Sequence, residues 1–157
     1  MKAKQKSDAV EIMDAVADKQ RDELDLLLWS VLWQPLGLPR DIRQTFELSG
    51  SEIDLIAVDD GSVVGGVVVS RISANKYEIR HIAVKAGYQG KSVGTRLVEE
   101  LIRQIRQDTS ISVQTWARNT SAGFFTKSGF KPAGERLEHP AFAAHGINFQ
   151  RMHLKVP

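Results

Sequence analysis

The chain contains no cysteine, which excludes a disulfide framework, a thiolate metal site and a cysteine nucleophile together and makes a reducing cytoplasm the compatible compartment. Net charge is also scarce. Twenty-one Lys and Arg against nineteen Asp and Glu leave +2, so the pI near 9.0 overstates how basic the surface is, and the dense basic stripe of a general nucleic-acid binder is missing. No long apolar run occurs. Leu24 to Trp33 and Val63 to Val69 fall short of the roughly 20 residues that a membrane-spanning helix needs. Near Lys2, Lys4 and Lys6, the acids Asp8, Glu11 and Asp14 interrupt any stretch that would serve as a signal-peptide core. These absences predict a cytoplasmic protein with neither membrane nor nucleic acid as partner. There is no internal repeat and no linker-like tract, and 157 residues with 42% hydrophobic content suit one domain over 1–157 with one sizeable core.

What is present is patterned. Leu24, Leu27, Leu28, Val31 and Leu32 recur at helical spacing over residues 20 to 33, and Pro35, Gly37 and Pro39 end that helix. A second short helix is expected from Pro39 to Phe46, making 1–50 a helical amino-terminal part and 51–157 the core. Residues 53–58 and 62–72, rich in Ile and Val, flank Asp60-Gly61, a pair that favours a two-residue hairpin turn because both positions need positive φ. Tyr77 to Val84 reads as a third strand. A loop over 85–94 opens a helix whose apolar face is Leu97, Val98, Leu101, Ile102 and Ile105. Ile111 to Trp116 is a fourth strand, Asn119 caps a helix reaching about Ser128, and Gly129 supplies its left-handed exit. Strands near Lys131–Leu137 and Gly146–Val156 close a mixed α/β (α+β) arrangement.

The chemistry concentrates between the third strand and its helix. A glycine-bearing loop that opens a helix aims unpaired backbone N–H groups at one point, where the helix dipole adds positive potential, so Gln89, Gly90, Lys91, Ser92, Val93 and Gly94 read either as a cradle suited to phosphate or as a plain turn. Gly90-Lys91-Ser92 also ends like a nucleotide-binding P-loop, but Lys85 stands where that motif needs its first glycine. Gly90-Lys91-Ser92-Val93-Gly94 matches the G-x-S-x-G elbow of serine hydrolases, with Asp108 and then His139 or His145 following in that fold's order. The elbow needs its serine on a sharp turn directly off a strand, whereas seven residues separate Val84 from Ser92, so a hydrolase using Ser92 is the remote alternative.

The wider stretch resembles the GCN5-related N-acetyltransferase superfamily. Tyr77-Glu78-Ile79-Arg80-His81-Ile82-Ala83-Val84 followed by Gln89-Gly90-Lys91-Ser92-Val93-Gly94-Thr95-Arg96-Leu97 is similar to its signature strand, Gln/Arg-x-x-Gly-x-Gly/Ala loop and helix. Asn119 to Phe130 is similar to its second motif, Asn-x-x-Ala-x-x-Phe-Tyr-x-Lys-x-Gly-Phe. The resemblance covers about residues 53 to 156. It implies a central mixed, mostly antiparallel twisted sheet of six to seven strands with about four flanking helices, and splayed central strands forming a coenzyme cleft in the 51–157 core. Two departures stand out. Ser92 occupies the place of the first loop glycine, which a serine tolerates if the backbone there does not need positive φ. Phe125 replaces a tyrosine whose hydroxyl is the usual candidate to protonate the departing thiolate.

The resemblance further implies an acetyl-coenzyme A-dependent N-acetyltransferase, with direct attack of a small-molecule or peptide amine on the thioester. An alkyl amine is mostly protonated at neutral pH, so a base must take a proton first. Glu78 matches the general-base position of some members; its alternative is an exposed strand glutamate paired with Arg80 or a neighbour. The oxyanion donor implied is the backbone N–H of Ile82, while Ala83 and Val84 pair with the pantetheine amides. The coenzyme-binding set extends over Gln89, Gly90, Lys91, Ser92, Val93, Gly94, Thr95, Asn119, Ala122, Phe125 and Lys127, with Arg96 a further cation for the phosphates. Trp29, Trp33, Arg40 and Arg43 are candidates to line the acceptor pocket. Histidine spacing suggests no metal. Dimers are common in the superfamily, which makes a homodimer a fold-level expectation. A coenzyme-binding or regulatory module without catalysis is the alternative function.

Overall fold

Asp60 and Gly61 adopt φ of 49° and 77°, so the hairpin expected at that pair forms, joining β2 (Ser51–Asp59) to β3 (Ser62–Ser73). This computed structural model describes residues 9–46 and 50–157; Lys2, Lys4, Lys6 and Asp8 lie outside the described residues. Around the hairpin the remaining strands are β1 (Glu11–Asp14), β4 (Lys76–Val84), β5 (Ile111–Arg118), β6 (Lys131–Leu137) and β7 (Phe149–Val156). They make a seven-stranded sheet in the order β1-β2-β3-β4-β5-β7-β6. Only the β4–β5 pair is parallel among the described strands. Its crossover is α2 (Val93–Ile105), the amphipathic helix expected after the loop.

The sheet has a core on each face. One carries Leu97, Leu101 and Ile105 of α2 against Val67, Ile79, Val113 and Met152, with Phe125 and Phe130 at its edge. The other carries Leu24, Leu27 and Leu28 of α1 (Asp18–Leu28) and then Trp33 against Ile56, Val68, Ala83 and Phe142. A Cβ on Gly66 of β3 would come within 2.2 Å of the Leu24 side chain; the absent side chain lets α1 lie close to the sheet.

Several expectations need correction. The amino-terminal part is not wholly helical, because Glu11–Asp14 pairs antiparallel with Leu55–Val58. The long first helix leaves the α-helical path at Trp29 and continues as a π-helical turn to Trp33, and 39–46 contains only a 3₁₀ turn, Ile42–Thr45. Asn119 does not cap α3 (Ala122–Lys127), whose first turn follows Ser121. Instead its amide donates to the Gly146 carbonyl at 3.1 Å and accepts from the Asn148 N–H at 3.2 Å, stapling the β5 end to the turn before β7. That turn follows α4 (Pro140–Ala143), and β7 begins at Phe149 and not at Gly146.

Candidate active site

β4 pairs with β5 only from Lys76 to Ile79, and beyond that point the two strands separate. The last rung is closed by Thr115, whose hydroxyl donates to the buried Ile79 carbonyl at 3.0 Å. The divergence coincides with a bulge: Val68 of β3 faces His81 while Val69 faces Ile79, so Arg80 has no opposite residue in β3. A bulge bends and twists its strand. With Arg80 as the extra residue, Glu78, His81 and Ala83 point to the face of α1, while Ile79, Ile82 and Val84 point to the face of α2.

Two cavities open into this gap. The larger, about 580 Å³, is lined by Ile82, Ala83, Val84, Gln89, Gly90, Ser92, Val93, Gly94 and Thr95, so most of the predicted loop set is brought together. Tyr88, Thr120, Ser121 and Phe124 join them, residues that motif reading missed. Lys91, Asn119, Ala122 and Lys127 do not line it. Arg96 donates to the Val10 carbonyl at 2.7 Å, tying α2 to the segment before β1. No histidine lines this cavity, which leaves Ser92 without the partner a hydrolase elbow requires.

The loop geometry suits an anion. No side chain caps α2, so the N–H groups of its first turn keep their donor capacity. Ser92 immediately before it has φ of 64° and ψ of 14°, so the backbone does need the left-handed region that a glycine would enter without strain. An L-residue there costs about 1–2 kcal/mol, part of which glycine returns as extra freedom in the unfolded chain. Ser92→Gly is therefore expected to raise stability by up to about 1 kcal/mol, read as a melting temperature about 2–4 °C higher. An unchanged or lower value would show that the serine carries no strain.

The smaller cavity, about 250 Å³, lies on the other side of the gap. Glu78 lines it and is 6% exposed, not the exposed strand glutamate of the alternative reading, although it does pair with Arg80. Its carboxylate also accepts from Gln114 at 2.8 Å, and Gln114 in turn accepts from Arg151 at 2.8 Å, so a chain of donors fixes its position. Trp33 lines this cavity with Phe46, Phe142 and Phe149. Trp29 is turned elsewhere, its indole donating to the Leu38 carbonyl at 3.0 Å beneath Arg40, and Arg40 and Arg43 are held by Asp25. Phe125 belongs to this cavity and not to the larger one; its ring is 2% exposed and packs against Phe124 and Phe130.

His81 is half-buried against Trp33, with ring centroids 5.0 Å apart and nearly perpendicular planes, and its buried Nε2 has no hydrogen-bond partner. Burial pushes its pKa down to about 3, reinforced by the positive charges of Arg43, Arg80 and Arg118. Below pH 6.5 the unfolded chain binds a proton that the folded chain refuses, so stability falls as pH drops from 6.5 toward 3. Urea unfolding at pH 7.5 and 4.5 should show the wild type losing about 2–3 kcal/mol more than His81→Phe over that interval. Equal losses would mean that His81 protonates without opening its pocket.

The two cavities share Leu32, Ile82, Arg118 and Ser121. Arg118, at the end of β5, was not singled out from the sequence; its guanidinium donates to the Leu32 carbonyl at 2.8 Å and lies 5.3 Å from the Phe142 ring centre. Burial lowers its pKa.

The model of the acetyltransferase (GNAT) family matches residues 18–130. No curated protein matches the sequence. Among solved structures, an aminoglycoside 6'-N-acetyltransferase complexed with coenzyme A is similar at 18% identity, with 94% of this chain and 97% of that one covered and a TM-score of 0.72. Ard1 from Thermoplasma volcanium is similar at 21% identity, 95% and 99% coverage and a TM-score of 0.69. GCN5 from Tetrahymena is similar at 17%, 94% and 96%, and 0.71. At these identities the likeness establishes the fold.

Proposed function

The chain belongs to the GNAT acetyltransferase family, and from that premise we propose that it moves an acetyl group from acetyl-coenzyme A directly to the nitrogen of a primary amine. The observation that carries this reading is the meeting of two cavities at Ile82, where β4 has left β5. One cavity has a loop of N–H donors suited to a pyrophosphate, the other a buried carboxylate suited to an amine. The residues fit the coenzyme: Gln89, Gly90 and Ser92 to Thr95 would hold its phosphates, and Ala83 and Val84 would pair with the pantetheine amides. When bound, acetyl-coenzyme A supplies an activated acyl group as its thioester.

Each remaining role falls to the chain itself. Glu78 accepts a proton from the acceptor ammonium, freeing the nitrogen lone pair for attack. The Ile82 backbone N–H donates to the carbonyl oxygen as negative charge builds there, a donor already in place before the reaction. Phe125 carries no hydroxyl, so the thiolate takes its proton from water or from another group.

The test is calorimetric titration with acetyl-coenzyme A, followed by thiol release in the presence of an amine panel. Saturable binding and amine-dependent thiol release are expected. Absence of binding to folded protein overturns the reading, and binding without any amine-dependent release favours the non-catalytic acyl-coenzyme A module.

A further inference from the structure

We infer that the acceptor amine also carries a carboxylate and an apolar, aromatic-sized body, with the carboxylate seated on Arg118 and the body among Trp33, Phe46, Phe142 and Phe149. The inference rests on the transferase reading and names its substrate class.

Size comes first. At about 250 Å³ the smaller cavity lies just below the roughly 300–1,000 Å³ of sites that hold drug-sized ligands. It suits a small molecule. Its walls are aromatic, with the Trp33 and Phe46 ring centroids 5.6 Å apart and those of Phe142 and Phe149 5.3 Å apart. A saturated polar acceptor would leave such walls poorly wetted and its own hydroxyls without partners.

Charge then selects among small amines. Glu78 and Arg80 in the lining form an ion pair and offset each other. His81 stays neutral at ordinary pH, and His139 turns its Nδ1 to its own helix, where it accepts from the Ala141 N–H at 3.2 Å. Arg118 remains. No carboxylate among the described residues comes within ion-pair distance of it, and its one hydrogen bond there is to the Leu32 carbonyl. A half-buried guanidinium with no counter-ion gains from a ligand that brings the opposite charge. Phe142 and the Leu32 carbonyl hold it in place, so its remaining N–H groups present a ready fork for a carboxylate. The same surplus positive charge disfavours polycationic amines.

The test compares L-phenylalanine with 2-phenylethylamine, which differ by the carboxylate alone, in thiol-release kinetics. Wild type should prefer phenylalanine in kcat/KM by about 10- to 100-fold, spermidine should rank below both, and Arg118→Gln should erase the preference, with Arg118→Lys keeping part of it. Equal or inverted preference in wild type overturns the inference. So does an Arg118→Gln variant that slows both amines by one factor, because Arg118 would then serve the transfer step and not the acceptor. A second measurement does not depend on turnover: calorimetric titration with 3-phenylpropionate, which has the ring and carboxylate but no amine. Affinity lost at least about tenfold in Arg118→Gln supports the site even if no amine is acetylated, in which case only the transferase reading fails. No binding to wild type, or binding indifferent to Arg118, overturns the site.

Discussion

Glu78→Gln should lower kcat/KM for amine acetylation by about two to four orders of magnitude while acetyl-coenzyme A still binds. The substitution keeps the volume of the side chain and an oxygen for Gln114 to donate to, and removes the basic carboxylate. An alkyl amine with a reference pKa near 10.4 is then deprotonated only by solvent, so the variant should regain rate steadily as pH rises above neutrality. Rate measured against pH for both proteins checks this, with melting temperature as a guard against a merely structural loss. A variant that keeps its activity would reduce Glu78 to the partner of Arg80.

Gly94→Pro should weaken acetyl-coenzyme A binding by about one to two orders of magnitude. Gly94 is the second residue of α2, inside the first turn, where its N–H has no intrahelical acceptor. Proline keeps a helical φ there and deletes that donor. A Cβ at this position would also meet the Phe124 ring at 3.0–3.2 Å, so the wall of the cavity must give by a few tenths of an ångström. Circular dichroism separates the effect from unfolding, and calorimetry reads the affinity. Unchanged affinity in a folded variant would remove the α2 amino terminus from the coenzyme site.

Local chemistry decided what could be read in advance. The Asp60-Gly61 hairpin, the α2 stripe and the loop between them declare themselves in neighbouring residues, because turn φ values and helical periodicity are short-range properties. Most of the loop residues matched by motif do line the larger cavity. β1 escaped notice because four residues of half-exposed strand carry little pattern, and their pairing with β2 lies some forty positions away. Asn119 was misread because an asparagine before a helix looks like a cap, while its actual partners lie beyond α4. Arg118 gave no signal either. A cation at a strand end looks solvated until the π-helical turn and α4 fold over it.

The bulge in β4 has a consequence for chain length. Side chains of a strand alternate by parity, so a one-residue deletion normally exchanges inside for outside in everything that follows. Arg80 is exempt from that arithmetic: it is the surplus residue against β3, and His81 and Ile82 would hold their faces without it. Deleting Arg80 should therefore leave a folded protein whose β4 runs straight alongside β5, with the gap at Ile82 narrowed and acetyl transfer abolished. Circular dichroism and thiol release on that variant check this: a folded, inactive protein is expected, and an unfolded one would show that Arg80 is not surplus to the fold.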